Sequence, residues 1–129
     1  MPDRPPLPSH RAFFRSFGHA GAGLRHLFRS QRNARIHLTL TLLAVCLALW
    51  LGLSAAEWAI LALTIGFVLA SEALNTAVEA ALDRISADHH PLAKVAKDTA
   101  AGAVLIAAIT ALAVAAFLFL PRLLNRPGS

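Results

Sequence analysis

Four polar residues interrupt an apolar stretch in the middle of the chain: Glu72, Asn75, Glu79 and Asp83. Their spacings of three, four and four residues follow the helical repeat, so on a helix they project from one side. We call these four residues the acidic ridge. Their carboxylate and amide oxygens can hold a divalent cation or take part in a proton transfer. Ionisable groups in an apolar, membrane-spanning helix are costly and usually functional, so the ridge is the candidate site.

The rest of the chain has the composition of a membrane protein. Of its 129 residues 57% are hydrophobic, and the mean hydropathy is +0.59. Residues 38–56 and 99–121 carry no Asp, Glu, Lys or Arg, and residues 58–71 are uncharged up to the ridge. Runs of about 20 such residues can cross a bilayer core about 30 Å thick. The sequence therefore predicts an all-α membrane protein. The predicted transmembrane helices are residues 36–53, 55–85 and 92–120. Ser54, followed three residues later by Glu57, predicts a capping box at the start of the second helix, and Pro121 predicts the end of the third.

The first 35 residues are basic, with seven Arg and one acid, Asp3. A basic segment before the first span predicts a cytoplasmic N-terminus, and anionic headgroups are a sufficient partner for it without nucleic acid. In residues 10–30, Phe and Leu fall on one helical face and Arg on the other, which is typical of a helix in the membrane interface. A soluble amphipathic helix docked on a partner is the alternative. His37 lies among arginines and is expected to contact headgroups. Residues 1–9 are proline-rich and predicted to be a disordered arm. We expect residues 10–129 to form a single domain.

A second polar cluster follows the ridge in the chain. Its members lie in the loop after the second span and at the start of the third: Asp88, His89, His90, Lys94, Lys97 and Asp98. A cation held by carboxylates, a Lys near phosphate and a free carboxylate as base together indicate phosphoryl transfer to a lipid headgroup. Other interpretations remain open. The two His can be solvated, Lys94 and Asp98 can form a surface ion pair, and the ridge can serve a non-catalytic subunit or a cation or proton relay in a transporter.

Two segments carry a specific family resemblance. SEALNTAVEAALDR (71–84) and HPLAKVAKDTAAGAVL (90–105) resemble the prokaryotic diacylglycerol kinase family, which includes undecaprenol kinases, and the similarity covers roughly residues 11–120. The resemblance implies an ATP- and Mg²⁺-dependent kinase for a membrane lipid alcohol, undecaprenol or diacylglycerol. It also implies a homotrimer with shared active sites, in a bacterial inner membrane with the N-terminus and active site cytoplasmic.

The same resemblance assigns roles to the polar residues. Glu72 matches the base that takes the proton of the lipid hydroxyl, and Glu79 matches a Mg²⁺ ligand that also orients the nucleotide phosphates. Asn75 and Asp83 match supporting polar residues of the catalytic site. The residues expected to contact the nucleotide are Asp88, His89, His90, Lys97 and Asp98.

One position departs from the family pattern. Where a well-known diacylglycerol kinase has a glutamate as second metal ligand, this chain has Gln31. A carboxamide still offers an oxygen to Mg²⁺ but lacks the negative charge. We therefore expect a weakened second metal position with activity retained. The alternative is a catalytically impaired relative that acts as a non-enzymatic membrane subunit.

Overall fold

The computed structural model describes residues 10–85 and 90–125, and these residues are helical except at short connections. The helices are α1 (His10–Ser30), α2 (Arg32–Leu51), α3 (Ala55–Ile85) and α4 (Pro91–Leu124). By length and composition, α2, α3 and α4 can each cross a membrane. The predicted all-α membrane architecture, with three spanning helices after an amphipathic surface helix, is confirmed.

Helix α1 lies against α2 and α3 and presents an uncovered apolar face. Phe13 and Phe17 remain mostly exposed, and their rings stack edge-to-face at a centroid distance of 5.1 Å. Leu27 is the residue of α1 that becomes buried, with 2% of its surface exposed. The helix is thus attached near its C-terminal end, and its phenyl rings are free to contact a membrane surface.

A tight connection reverses the chain between α2 and α3. Gly52 ends α2 in the left-handed region, with φ 68°, where a residue without Cβ is unstrained. Ser54 and Glu57 then form a reciprocal cap, because the Ser54 N–H donates to Glu57 Oε2 at 2.8 Å and the Glu57 N–H donates to Ser54 Oγ at 3.4 Å. This capping box was expected from the sequence.

Helices α3 and α4 run antiparallel and form the most extensive contact of the fold. Near the α2–α3 turn, an apolar core joins Ala48, Leu53, Leu61, Leu118 and Phe119. Each end of the α3–α4 pair carries an ion pair, Glu57 with Arg122 and Asp83 with Lys97. The two acids are separated by about 39 Å along α3, at about 1.5 Å per residue. This separation exceeds the bilayer core of about 30 Å, so α3 is long enough for the two ion pairs to lie at opposite faces of a membrane.

Two helix ends differ from the sequence-based bounds by four residues. Helix α2 begins at Arg32 rather than at residue 36, because only Gln31 interrupts the helical path and backbone hydrogen bonds join it to both neighbouring helices. Helix α4 continues through Pro121 to Leu124 rather than ending at residue 120. Proline removes one backbone donor, but Arg122 bonds to Glu57 across the bundle and holds the last turn in place.

Candidate active site

The acidic ridge passes from the interior of the bundle to its surface. Glu72 retains 2% of its surface exposed, Asn75 and Glu79 are half-buried, and Asp83 is exposed. The distance from Glu72 to Asp83 along the helix is about 16 Å. Within the ridge, Asn75 Nδ2 donates a hydrogen bond to Glu79 Oε1 at 3.3 Å. The ridge therefore joins a water-accessible carboxylate to one enclosed at the depth of the apolar helices.

Helix α2 supplies the nearest polar neighbour of the buried carboxylate. His37 Nε2 lies 3.2 Å from Glu72 Oε1, although the ring N–H is not aligned for a hydrogen bond. In the described chain three buried side-chain oxygens have no hydrogen-bond partner: Glu72 Oε1, Asn75 Oδ1 and Thr76 Oγ1. Buried polar atoms of this kind are rare in proteins and each calls for an explanation, because leaving them unpaired is costly. All three lie within two turns of α3, so this region is the candidate binding or catalytic site.

The second polar cluster is divided among several contacts. Lys97 Nζ lies 2.5 Å from Asp83 Oδ1 and so ties α4 to the outer end of the ridge. Asp98 is paired with Lys94 at 2.5 Å on the exposed side of α4. His90 caps α4, because its Nδ1 accepts a hydrogen bond from the Leu92 N–H at 3.2 Å. Asp88 and His89 lie outside the described residues.

Mg²⁺ fits the ridge as a cation shared with other oxygen donors. Glu79 offers a carboxylate, and Asn75 Oδ1 is a buried oxygen without a donor. No group of three or more His, Cys, Asp or Glu that could hold a metal occurs within residues 10–85 and 90–125. A complete protein cage is unnecessary for this ion, which commonly keeps several waters and shares phosphate oxygens. Gln31, the other expected ligand, is half-buried at the α1–α2 connection, and its side chain makes no capping bond to α2.

Two residues near the ridge did not emerge from the sequence as part of the site. His37 lies among arginines and was expected to contact headgroups, yet it faces Glu72 from another helix. No local pattern in the chain signals this tertiary contact. Thr76 lies four residues after Glu72 and is buried beside it. This is the same helical spacing that identified the ridge, so the sequence pattern could have identified Thr76 as well.

A family model described as prokaryotic diacylglycerol kinase matches residues 18–119. The match contains the whole ridge, all of α2, and α4 as far as Phe119. The chain belongs to the prokaryotic diacylglycerol kinase family. It is therefore an enzyme of the lipid kinase class.

Individual relatives agree with this assignment. The undecaprenol kinase of Bacillus subtilis is 42% identical over 111 residues, which cover 86% of this chain and 90% of that protein. The diacylglycerol kinase of Synechocystis sp. is 47% identical over 111 residues, or 85% of this chain and 63% of the relative. The diacylglycerol kinase of Escherichia coli is 38% identical over 94 residues, which cover 73% of this chain and 77% of that protein. Relatives named for two different lipids are thus similar to this chain.

Proposed function

We propose that this kinase transfers the γ-phosphate of ATP, with Mg²⁺, to the hydroxyl of a membrane lipid alcohol, either undecaprenol or diacylglycerol. The observation that carries the proposal is the carboxylate of Glu72, which is enclosed among apolar spanning helices at the inner end of the ridge. A lipid hydroxyl can approach that depth from the bilayer, whereas phosphate groups can approach the exposed outer end. The ridge therefore connects the two substrates.

Glu72 acts as the general base in this proposal. Its carboxylate takes the proton of the lipid hydroxyl as that oxygen forms a bond to the γ-phosphorus. The bond from the γ-phosphorus to the β,γ-bridging oxygen breaks, and ADP leaves with that electron pair. The products are the lipid phosphate, ADP and a proton on Glu72 that is later released to solvent. A positioned base of this kind contributes about 10²–10⁴-fold in rate.

The outer part of the ridge binds the phosphates. Glu79, which accepts a hydrogen bond from Asn75, would hold Mg²⁺ together with the Asn75 oxygen and Gln31. The cation supplies neutralisation of phosphate charge. Lys97 stands at the end of the ridge beside Asp83, where its ammonium group can contact the nucleotide phosphates. Asp98 and the segment of residues 88–90 complete the proposed nucleotide contacts.

The arginines near α2 support an active site on the cytoplasmic side of a bacterial inner membrane. His37 contacts Glu72, so the start of α2, with Arg32 and Arg35, lies at the same end of the bundle as the ridge. Basic residues next to a span favour the cytoplasmic face. We further propose a homotrimer in which a neighbouring protomer completes each site. The unpaired oxygens of Glu72, Asn75 and Thr76 in a single chain support that arrangement.

Phosphate transfer to each lipid, offered separately in mixed micelles, tests the proposal. We expect ATP- and Mg²⁺-dependent formation of a lipid phosphate from at least one of them, and the ratio of the two kcat/KM values identifies the preferred acceptor. The inactive comparison is Glu72→Gln, and the matched control is Glu57→Gln at the opposite end of α3, about 22 Å away. Failure of the folded wild-type protein to phosphorylate either lipid across a range of Mg²⁺ concentrations would refute the proposal.

A further inference from the structure

His37 occupies a special place in the bundle. It lies on the second turn of α2, and its side chain is 17% exposed while that of Glu72 is 3% exposed. The imidazole Nε2 and the carboxylate Oε1 are 3.2 Å apart. Among the ion-pair contacts of the described residues, His37 is the sole basic side chain within 4 Å of the Glu72 carboxylate. The contact joins two helices that are separate in sequence, so it depends on how α2 and α3 pack.

The enclosure of Glu72 makes a donor necessary. A buried carboxylate oxygen without a hydrogen bond carries its full desolvation penalty. The last side-chain torsion of histidine is soft, and a small rotation of the imidazole re-aims its Nε2–H relative to Oε1. Hydrogen bonds in catalytic sites are often misaligned before the substrates bind. His37 is therefore the group that the fold places to complete the hydrogen bonding of Oε1.

His37 also borders the apolar interior of the bundle. It lines a cavity of about 300 Å³ between α2, α3 and α4, whose other walls include Ala44, Leu61, Val68 and Phe119. Glu72 does not line this cavity. The imidazole thus contacts the carboxylate and also borders the apolar space. A side chain in this position can determine which oxygen of the Glu72 carboxylate faces the lipid hydroxyl.

We propose that His37 is a positioning residue for Glu72. Its Nε2–H holds Oε1, so the carboxylate cannot turn about its last torsion and Oε2 is presented to the lipid hydroxyl. The inference rests on the proposed kinase function, because it assigns the orientation of the base in that reaction. The role needs a neutral or charged imidazole with hydrogen on Nε2, and it needs no direct contact between His37 and either substrate.

Four variants test the role of the N–H group. In His37→Gln the amide N–H can occupy the position of Nε2. In His37→Asn the side chain is too short for its amide to reach Glu72, and His37→Leu keeps a similar volume without a hydrogen-bond donor. His19→Leu on the exposed face of α1 is the matched control. We expect kcat to fall about 10- to 100-fold in His37→Leu and His37→Asn, with KM for lipid and for ATP within about twofold of wild type. We expect His37→Gln to recover most of that loss and His19→Leu to have wild-type kinetics.

Some results would overturn the inference. They are an unchanged kcat in His37→Leu, a raised KM with kcat unchanged, or equal activity of His37→Gln and His37→Asn. If His37→Leu does not fold, comparison of His37→Gln with His37→Asn still tests the inference, because both side chains are polar and only the longer one can reach Glu72.

A spectroscopic readout separates this inference from the kinase proposal. The infrared carboxylate band of Glu72, identified by its loss in Glu72→Gln, should shift in His37→Asn and stay near its wild-type position in His37→Gln. If the band shifts in this way but the wild-type protein phosphorylates no lipid, the kinase function is refuted and the contact between His37 and Glu72 still holds. An identical band in all His37 variants would refute the contact, whatever the activity.

Discussion

Leu27 attaches the surface helix to the membrane-spanning bundle, and its truncation is expected to be costly. It is 2% exposed, whereas Leu24, one turn earlier on the same helix, is 50% exposed. The Leu27 carbonyl also accepts a hydrogen bond from the Gln31 N–H at 2.9 Å, so the docked residue helps to fix the connection to α2. Full burial of a leucine is worth about 1.5–3 kcal/mol, and truncation to alanine in a packed site costs about 2–5 kcal/mol.

We expect Leu27→Ala to lower the free energy of unfolding by about 2–3 kcal/mol, toward the lower end because a surface helix can settle into part of the gap. Leu24→Ala removes the same atoms and changes helix propensity equally, but it should cost less than about 1 kcal/mol because that side chain is half exposed. SDS titration in mixed micelles, followed by near-ultraviolet circular dichroism, measures both. Equal losses in the two variants would refute the argument, since α1 would then be held by the micelle rather than by Leu27 in the bundle.

Three further outcomes follow from the polar contacts. Gln31→Glu restores a charged oxygen ligand and should lower the Mg²⁺ concentration that gives half-maximal activity; an unchanged titration would remove Gln31 from the metal site. Lys97→Met should raise the KM for ATP about tenfold or more. Lys94→Met, which breaks an exposed ion pair within α4, should leave the KM for ATP within about twofold of wild type. Steady-state kinetics measure both values, and equal effects would contradict the proposed contact between Lys97 and phosphate. Glu57→Ala and Arg122→Ala should each lower the unfolding midpoint, and the double variant should lose less stability than the sum of the two single losses. Additive losses would show that the ion pair contributes nothing.

The sequence predicted the parts of this fold that depend on local order. The spacing of the acidic ridge indicated a shared helical face, and the observed Asn75–Glu79 hydrogen bond joins two of its members. The Ser54–Glu57 capping box was readable because both partners lie within one turn. These features arise from neighbours three or four residues apart, and a helix places such neighbours together regardless of the rest of the protein.

Contacts between helices were beyond the sequence. His37 was interpreted as one of several interfacial histidines, because nothing near residue 37 indicates that α2 turns this side chain toward α3. Lys97 pairs with Asp83 of α3, and no local spacing in the sequence signals that contact. Pro121 suggested a helix end, but an ion pair across the bundle holds the following turn. Each of these outcomes depends on tertiary packing.

The central claim is that the enclosed carboxylate of Glu72 removes the proton of a lipid hydroxyl. The most direct measurement is the turnover number for phosphate transfer from ATP to the preferred lipid in wild type, Glu72→Gln and Glu57→Gln, each confirmed to be folded. We expect a loss of at least about 100-fold in Glu72→Gln, with near wild-type turnover in Glu57→Gln. Turnover in Glu72→Gln within about tenfold of wild type would contradict the account and assign the proton transfer to another group.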